Sequence, residues 1–355
     1  MLKILFTYDY ELFLGKNNAS AEEILFEPTR KISKAMLDQG AHGVFFADVC
    51  SAIRHREVGL NDYSDAFDQQ IQDLTKDRHD VQLHLHTNWY NSERVGDSIK
   101  VSPKGYKIHE FGFDQSQPHS VPNIIAETKK YLVDRCSSVL PEYRCIAYRA
   151  GGFSVQPESE LFRALLNAGI VIDSSVTPHM YSLHGVNSFD FRSVPKALNW
   201  WVNPEKGLSV ASDEGIFEIP IGTARRRPLE MIGKKASDYR LPAAQLKGEY
   251  VKTASAPVIK EAKIKRWFRR LFICRNLTLD ARAYSSILWD LDYIYKKYGA
   301  QKEDQYVCLI CHPKLADQAR IDNISRMIEV LNKRPDKYQI VTCTDAYNDL
   351  MQKEK

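Results

Sequence analysis

The sequence predicts an α/β fold: a deformed, TIM-like (β/α) barrel of about seven parallel strands, interrupted by a basic insertion. Three observations carry this expectation. Short apolar runs alternate with stretches whose apolar residues recur at helical spacing, the rhythm of βαβ units. The runs are apolar at nearly every position, as in strands covered on both faces, and so imply a parallel sheet. About seven or eight such units in 355 residues favour a closed or nearly closed barrel over an open sheet.

Met1 to Thr7 reads as the first strand, emerging at Tyr8-Asp9-Tyr10-Glu11. Pro28 suits the first turn of a helix carrying Ile32, Ala35 and Met36, with Gly40 just past its end. Gly43 to Ala47 is the next strand; Phe67, Ile71 and Leu74 mark a helix leading into a strand over Val81 to Leu85. The polar stretch Asn91 to Pro122 reads as a long loop over one end of the fold. Ile124 to Leu132 is helical, Cys145 to Arg149 is a strand that breaks at Gly151-Gly152, and Pro157 opens a helix running to Gly169. Strands follow at Ile170 to Asp173 and Phe217 to Ile221. Residues 222–275, basic from Arg225-Arg226-Arg227 onward and without clear strands, read as an insertion within a single domain spanning 1–355. The rhythm then resumes with a helix lined by Tyr284, Leu288, Leu291 and Tyr295 and a strand from Tyr306 to Cys311. A helix over Ile324 to Leu331, a strand from Gln339 to Cys343 and a short terminal helix complete the chain.

A net charge of +4 is small for this length, and the basic run contains no recognition module, so nucleic acid is not an expected partner. Seven cysteines, an odd number scattered from Cys50 to Cys343, fit reduced thiols better than a disulfide framework. Cys308-Leu309-Ile310-Cys311-His312 formally matches a haem-attachment pattern, but it lies in an apolar run that reads as a buried strand. The apolar N-terminus reaches Asp9 and Glu11 too soon for a signal-peptide core. No run approaches the roughly 20 apolar residues that a bilayer requires. A cytoplasmic location is the expectation.

The segment His79 to Trp89 organises the functional reading. His84 and His86, at i and i+2 of a strand, share one face, and neutral imidazole is the commonest zinc ligand. In a barrel of this kind the chemistry gathers at the C-terminal ends of the strands. Asp9 and Glu11, His84 and His86, Arg149 and His312 all fall there. Together they form a toolkit for metal-assisted hydrolysis. Two or three ligands hold a metal with open positions, a carboxylate takes a proton from water, and a histidine protonates a leaving amine.

At these residues the sequence resembles the polysaccharide deacetylases of the NodB-homology type, the fourth family of carbohydrate esterases. The resemblance runs by short motifs across Met1 to Ile221 and Tyr306 to Leu350. It implies that Asp9 of Thr7-Tyr8-Asp9-Tyr10-Glu11 is the general base and Glu11 a metal ligand, and that His79 to Trp89 supplies the metal histidines. Arg149 of Tyr148-Arg149-Ala150-Gly151-Gly152-Phe153 would orient Asp9, bidentately, and lower its pKa. Asp173-Ser174-Ser175 and Glu218-Ile219-Pro220 would line or brace the groove, and His312 of Leu309-Ile310-Cys311-His312-Pro313 would be the general acid.

This chain departs from the pattern in two places. The acidic pair is separated by Tyr10, and the residue four after His84 is Asn88 where the pattern has histidine. Either His86 completes the metal site or Asn88 supplies a carbonyl oxygen; His86 is preferred because imidazole is the better zinc ligand. The resulting expectation is an N-deacetylase holding a divalent metal, zinc first, through Glu11, His84 and His86. Its substrate would be an amino-sugar glycan of a lipid-linked or surface polysaccharide, as in O-antigen biosynthesis. The alternatives are deformylation or another amide hydrolysis on the same scaffold, and a glycan-binding protein without catalysis. Trp89, Tyr90, Trp200 and Trp201 are candidates for sugar stacking, and Asp173 is a further substrate-binding candidate. Within the insertion, Ile264, Trp267, Phe268, Leu271 and Phe272 make an apolar stripe among lysines and arginines, so 260–275 is a candidate for peripheral contact with the inner membrane face.

Overall fold

The computed structural model describes residues 1–182, 188–225, 232–250, 274–299 and 304–353. Its central sheet is formed by β1 (Leu2–Tyr10), β2 (Val44–Asp48), β3 (Asp80–Leu85), β4 (Ala147–Ala150), β5 (Ile172–Asp173), β6 (Trp200–Val202), β7 (Ile216–Glu218), β8 (Gln305–Cys311) and β9 (Tyr338–Ile340). The strand order is β6-β7-β5-β4-β3-β2-β1-β8, with β9 also pairing β1. Every pair is parallel except β6 with β7. The sheet curls into an open barrel. Between its outer strands the gap is crossed by the parallel bridges Ile221 to Cys308 and Thr278 to Ile310, and by Asn199, whose side chain pairs with the backbone of Tyr306.

The helices are α1 (Glu27–Leu37), α2 (Val49–Glu57), α3 (Asn61–Lys76), α4 (Val121–Cys136), α5 (Glu158–Asn167), α6 (Tyr284–Tyr298), α7 (Gln318–Asn332) and α8 (Cys343–Lys353). Side-chain alternation divides the sheet between two cores. On β1, Ile4, Phe6, Tyr8 and Tyr10 face the helices with Ile32, Phe67 and Leu83, whereas Leu5 joins Phe46, Ile172, Ile219 and Ile310 on the interior face. Thr7 and Asp9 share the parity of Leu5 and continue that interior row toward the C-terminal rim. Cys343, Ala346 and Leu350 of α8 pack against the interior cluster, and Lys3 at the start of β1 bonds Asp349. The terminal helix therefore fills the end of the barrel opposite the rim.

Several boundaries differ from the sequence reading. β1 continues to Tyr10, which places Asp9 inside the strand, and β2 passes directly into α2, a helix with no clear periodic signal because nearly all its turns are covered. The antiparallel β6 sits where no strand was expected. Residues 91–122 are not a plain loop: Glu93–Val95 and Ser98–Lys100 form a hairpin, and Ile108–Phe111 a helical turn. The insertion has paired ends, since Thr223–Arg225 runs antiparallel to Cys274–Asn276. Its Gly248–Glu249 pairs with Lys16–Asn17 beside β1. The apolar stripe from Ile264 to Phe272 lies outside the described residues. Among the described residues no helix is long and apolar enough to cross a membrane.

Candidate active site

The parallel register lines up the polar strand ends. Asp48 of β2 is paired with His84 of β3, and His84 with Arg149 of β4, so their side chains project side by side into the barrel. Asp9 is in register with Phe46, whose ring lies 4.3 Å beneath the guanidinium of Arg149. All of these polar groups are buried: Asp9 is 4% exposed and Arg149 is fully covered. Charged groups persist at such depth only when paired and hydrogen-bonded.

Arg149 meets this condition through five contacts. Its Nη1 donates to Asp9 Oδ1 at 2.6 Å and to Thr7 Oγ1 at 2.8 Å, Nη2 to Ser174 Oγ and Cys308 Sγ, and Nε to the Ser174 carbonyl at 2.8 Å. Asp9 is held through one guanidinium nitrogen, not through the expected two-pronged pair, because Ser174 and Cys308 occupy the other prong. This leaves Asp9 Oδ2 turned toward His312 Nε2, 3.6 Å away. Burial alone would raise the Asp9 pKa; the charge of Arg149 first, then His84 and His312, outweighs it and holds the carboxyl below its usual range.

His312 is backed by a residue that sequence reasoning passed over. Asp280 Oδ2 lies 2.7 Å from His312 Nδ1, and Asp280 Oδ1 accepts the His312 backbone N–H at 3.0 Å. Burial lowers the imidazole pKa, but Asp280, with help from Asp9, raises it above the ordinary histidine value. Leu277 to Asp280 alternates apolar and polar residues before an acid, the same strand-end signal carried by Asp9, and Thr278 bridges to Ile310 beside β8.

A second cluster lies next to Asp9. Ligand atoms of Glu11, His84 and His86 fall within 4.8 Å of one another, and all three residues are buried. His84 Nδ1 must donate to the Arg149 carbonyl at 2.8 Å, which directs Nε2 at Glu11 Oε2, 3.2 Å away. His86 Nε2 contacts the same carboxylate oxygen. Burial would lower the His84 pKa, yet Glu11, Asp9 and Asp48 push it up to about 9, so negative charge converges where both imidazoles point. His86 Nδ1 is buried with no partner. Two nitrogens and a carboxylate oxygen aimed at one point are the donor set of a divalent transition metal, and these residues fit zinc. Gly151 permits this geometry: a Cβ there would stand 2.5 Å from the Leu85 carbonyl oxygen and 2.6 Å from His86 Nδ1.

Asn88 donates to the Ser102 carbonyl at 2.9 Å, and its Oδ1 is buried with no partner. Asp48, another residue not singled out from sequence, accepts the His86 backbone N–H and the Trp89 indole N–H, 3.2 and 2.7 Å away, and so anchors the whole segment. Lys314, also missed, sends its ammonium to Glu11 Oε1 at 2.6 Å. A lysine at the end of an apolar run offers little signal, since most such residues point to solvent.

Burial corrects the proposed sugar contacts of Trp200 and Asp173 and leaves little of Trp89 exposed. Trp89 is 1% exposed, Trp200 4%, and Asp173 fully covered. Asp173 faces the helices, next to Glu218, and burial raises its pKa although hydrogen bonds from Glu218 and Ser175 pull it down. It acts as a brace: Ser175 Oγ donates to Asp173 Oδ1 and accepts the Ala150 N–H, fixing the residue after Arg149. Trp201 is half-buried against Phe217, 5.0 Å between ring centroids. A cleft of 1110 Å³ extends from Leu12, next to Glu11, between Lys16–Asn17, Gly59–Tyr63 and the Arg94–Lys100 hairpin, and Trp89 forms part of its wall.

No protein-family model matches the sequence, and no curated protein does. Solved structures do match. A Parabacteroides distasonis protein assigned as a glycoside hydrolase/deacetylase aligns at a TM-score of 0.55 and 9% identity, covering 99% of this chain and 71% of its own. A Pseudomonas aeruginosa protein assigned as a polysaccharide deacetylase aligns at a TM-score of 0.48 and 11% identity, over 99% and 90%. The PuuE allantoinase aligns at a TM-score of 0.49 and 12% identity, over 98% and 89%. At these identities the likeness is one of architecture. The curled, mostly parallel sheet is that of the polysaccharide deacetylase fold, and this chain is built on it.

Proposed function

We propose that this protein is a metal-dependent hydrolase that removes the N-acetyl group from an amino sugar of a glycan. The observation that carries the reading is the convergence, in one cluster at the strand ends, of Asp9 on Arg149, His312 on Asp280, and the three donors of Glu11, His84 and His86. A divalent ion held by those three donors, zinc first among candidates, supplies Lewis acidity toward the amide oxygen and toward water when bound.

The chain's own groups divide the remaining work. Arg149 keeps Asp9 ionised and leaves Oδ2 free to take the proton of the attacking water. Asp280 fixes Nδ1 of His312 and favours its charged form, so that Nε2 carries the proton destined for the departing amine. Water adds to the acetyl carbon, the carbon–nitrogen bond breaks, and acetate and the free amine leave. Each general acid–base step of this kind contributes about 100- to 10,000-fold. The glycan would occupy the cleft beside Leu12, and a lipid-linked or surface polysaccharide intermediate is the substrate class proposed.

The deciding measurement is acetate release from N-acetylated amino-sugar oligosaccharides by the zinc-loaded protein and by the chelated, dialysed protein. Release that requires zinc supports the reading. Formate in place of acetate would move the assignment to a deformylase, and absence of both products with metal bound would refute it.

A further inference from the structure

Lys314 is a buried cation pressed against a carboxylate that the proposed function already uses. Its side chain is 2% exposed, and Nζ lies 2.6 Å from Glu11 Oε1 and 3.3 Å from the Leu12 carbonyl oxygen. The rings of Phe13 and Tyr250 flank the ammonium, each 5.3 Å from ring centroid to Nζ. The two oxygens of Glu11 thus have separate neighbours: Oε1 faces Lys314, while Oε2 faces His84 and His86.

We infer that Lys314 is a positioning residue of the metal centre, holding Oε1 so that Glu11 presents Oε2 alone to the ion. The inference rests on the reading that Glu11, His84 and His86 hold a divalent metal. A carboxylate joined to the backbone by two methylenes is free to rotate and to offer either oxygen or both. One hydrogen-bonded oxygen removes that freedom, and groups that orient ligands in this way commonly govern metal affinity.

The insertion completes the device. Gly248–Glu249 pairs with Lys16–Asn17, and the pairing is extended by Gly15 N–H to the Glu249 carbonyl at 2.9 Å and Asn18 N–H to the Lys247 carbonyl at 2.8 Å. The fit is close enough that a Cβ on Gly248 would stand 2.4 Å from the Phe13 ring. This strand sets Tyr250 over Lys314. The ring excludes water from an ion pair whose strength depends on low local polarity.

A purely electrostatic role predicts the opposite sign. If Lys314 merely supplied positive charge where a divalent ion could also sit, it would repel the ion, and removing it would tighten binding. Lys314→Met, which keeps length and removes charge and donor, separates the two. Zinc affinity of the full-length protein is measured by chelator competition, and the visible spectrum of the cobalt-loaded protein reports ligand geometry. The positioning role predicts affinity weaker by about 10- to 100-fold, the range for groups that orient ligands from behind. It also predicts a shifted cobalt spectrum, and recovery of most affinity in Lys314→Arg. Unchanged or tighter binding with an unchanged spectrum overturns it. Should Lys314→Met fail to fold by circular dichroism, Tyr250→Ala carries the test: it leaves the ion pair but removes its cover, and must weaken zinc in the same direction. If the unmodified protein binds neither zinc nor cobalt, the metal-centre reading itself fails. If it binds both but releases no acetate, only the proposed activity does.

Discussion

Exchange of Asp280 for Asn isolates the acid side of the proposed chemistry. Asp280 faces His312 with both oxygens, one at 2.7 Å from Nδ1 and one accepting the backbone N–H at 3.0 Å. In the variant the remaining amide oxygen can keep the backbone contact, which turns the NH2 group toward Nδ1 and disfavours a protonated imidazole. A hydrogen bond to a charged group contributes about 1.5–3 kcal/mol. One pKa unit corresponds to about 1.36 kcal/mol, so the His312 pKa falls by about 1–2 units. A general acid works while protonated, and its contribution is lost as pH rises through its pKa. The alkaline limb of the kcat/KM profile therefore moves down by about 1–2 pH units, while the acidic limb, set by Asp9, stays in place. Rate profiles of the zinc-loaded enzyme, with imidazole proton NMR for His312, measure both. A folded, metal-loaded variant whose alkaline limb does not move would refute the assignment of His312 as the acid.

Other outcomes follow from the same geometry. Asp9→Asn and His312→Ala each lower kcat by about 100- to 10,000-fold while metal content, read by elemental analysis, is retained. Arg149→Met leaves Asp9 buried beside no guanidinium; its carboxyl pKa rises, the acidic limb moves to higher pH, and the fold loses about 3–5 kcal/mol in denaturant titrations. Gly151→Ala forces a Cβ against the Leu85 carbonyl and His86; overpacking of this kind costs about 1–3 kcal/mol, so Tm falls and bound zinc is lost together.

Much of the fold was legible because burial on both faces leaves a plain trace: β1, β2, β3 and β8 are apolar runs, and each ends in a titratable residue or has one just beyond. The residues expected at the rim, Asp9, Glu11, His84, His86, Arg149 and His312, are brought together there by parallel register. What sequence could not convey was depth and direction. Trp200 has the composition of a sugar platform but is taken up by the helix-facing core, while Trp89, tied to Asp48 through its indole N–H, borders the cleft. Asp173, which the resemblance offered as lining or bracing the groove, braces it: its parity sends it to the outer face with Glu218. Asp280 and Lys314 gain their meaning only from contacts more than 30 residues away in sequence, to His312 and Glu11.

The antiparallel pairing of Thr223–Arg225 with Cys274–Asn276 means that the chain leaves and re-enters the barrel at a single point. Between these strands the described residues 232–250 return to the rest of the chain: Leu241 N–H donates to the Ala281 carbonyl, Arg320 to the Pro242 carbonyl, and Gly248–Glu249 pairs with Lys16–Asn17. Through Gly248 to Tyr250 the same segment reaches Lys314, the counterion of Glu11. Among the described residues, the excursion between the two strands thus reaches back to the neighbours of Asp280 and of Glu11 alike.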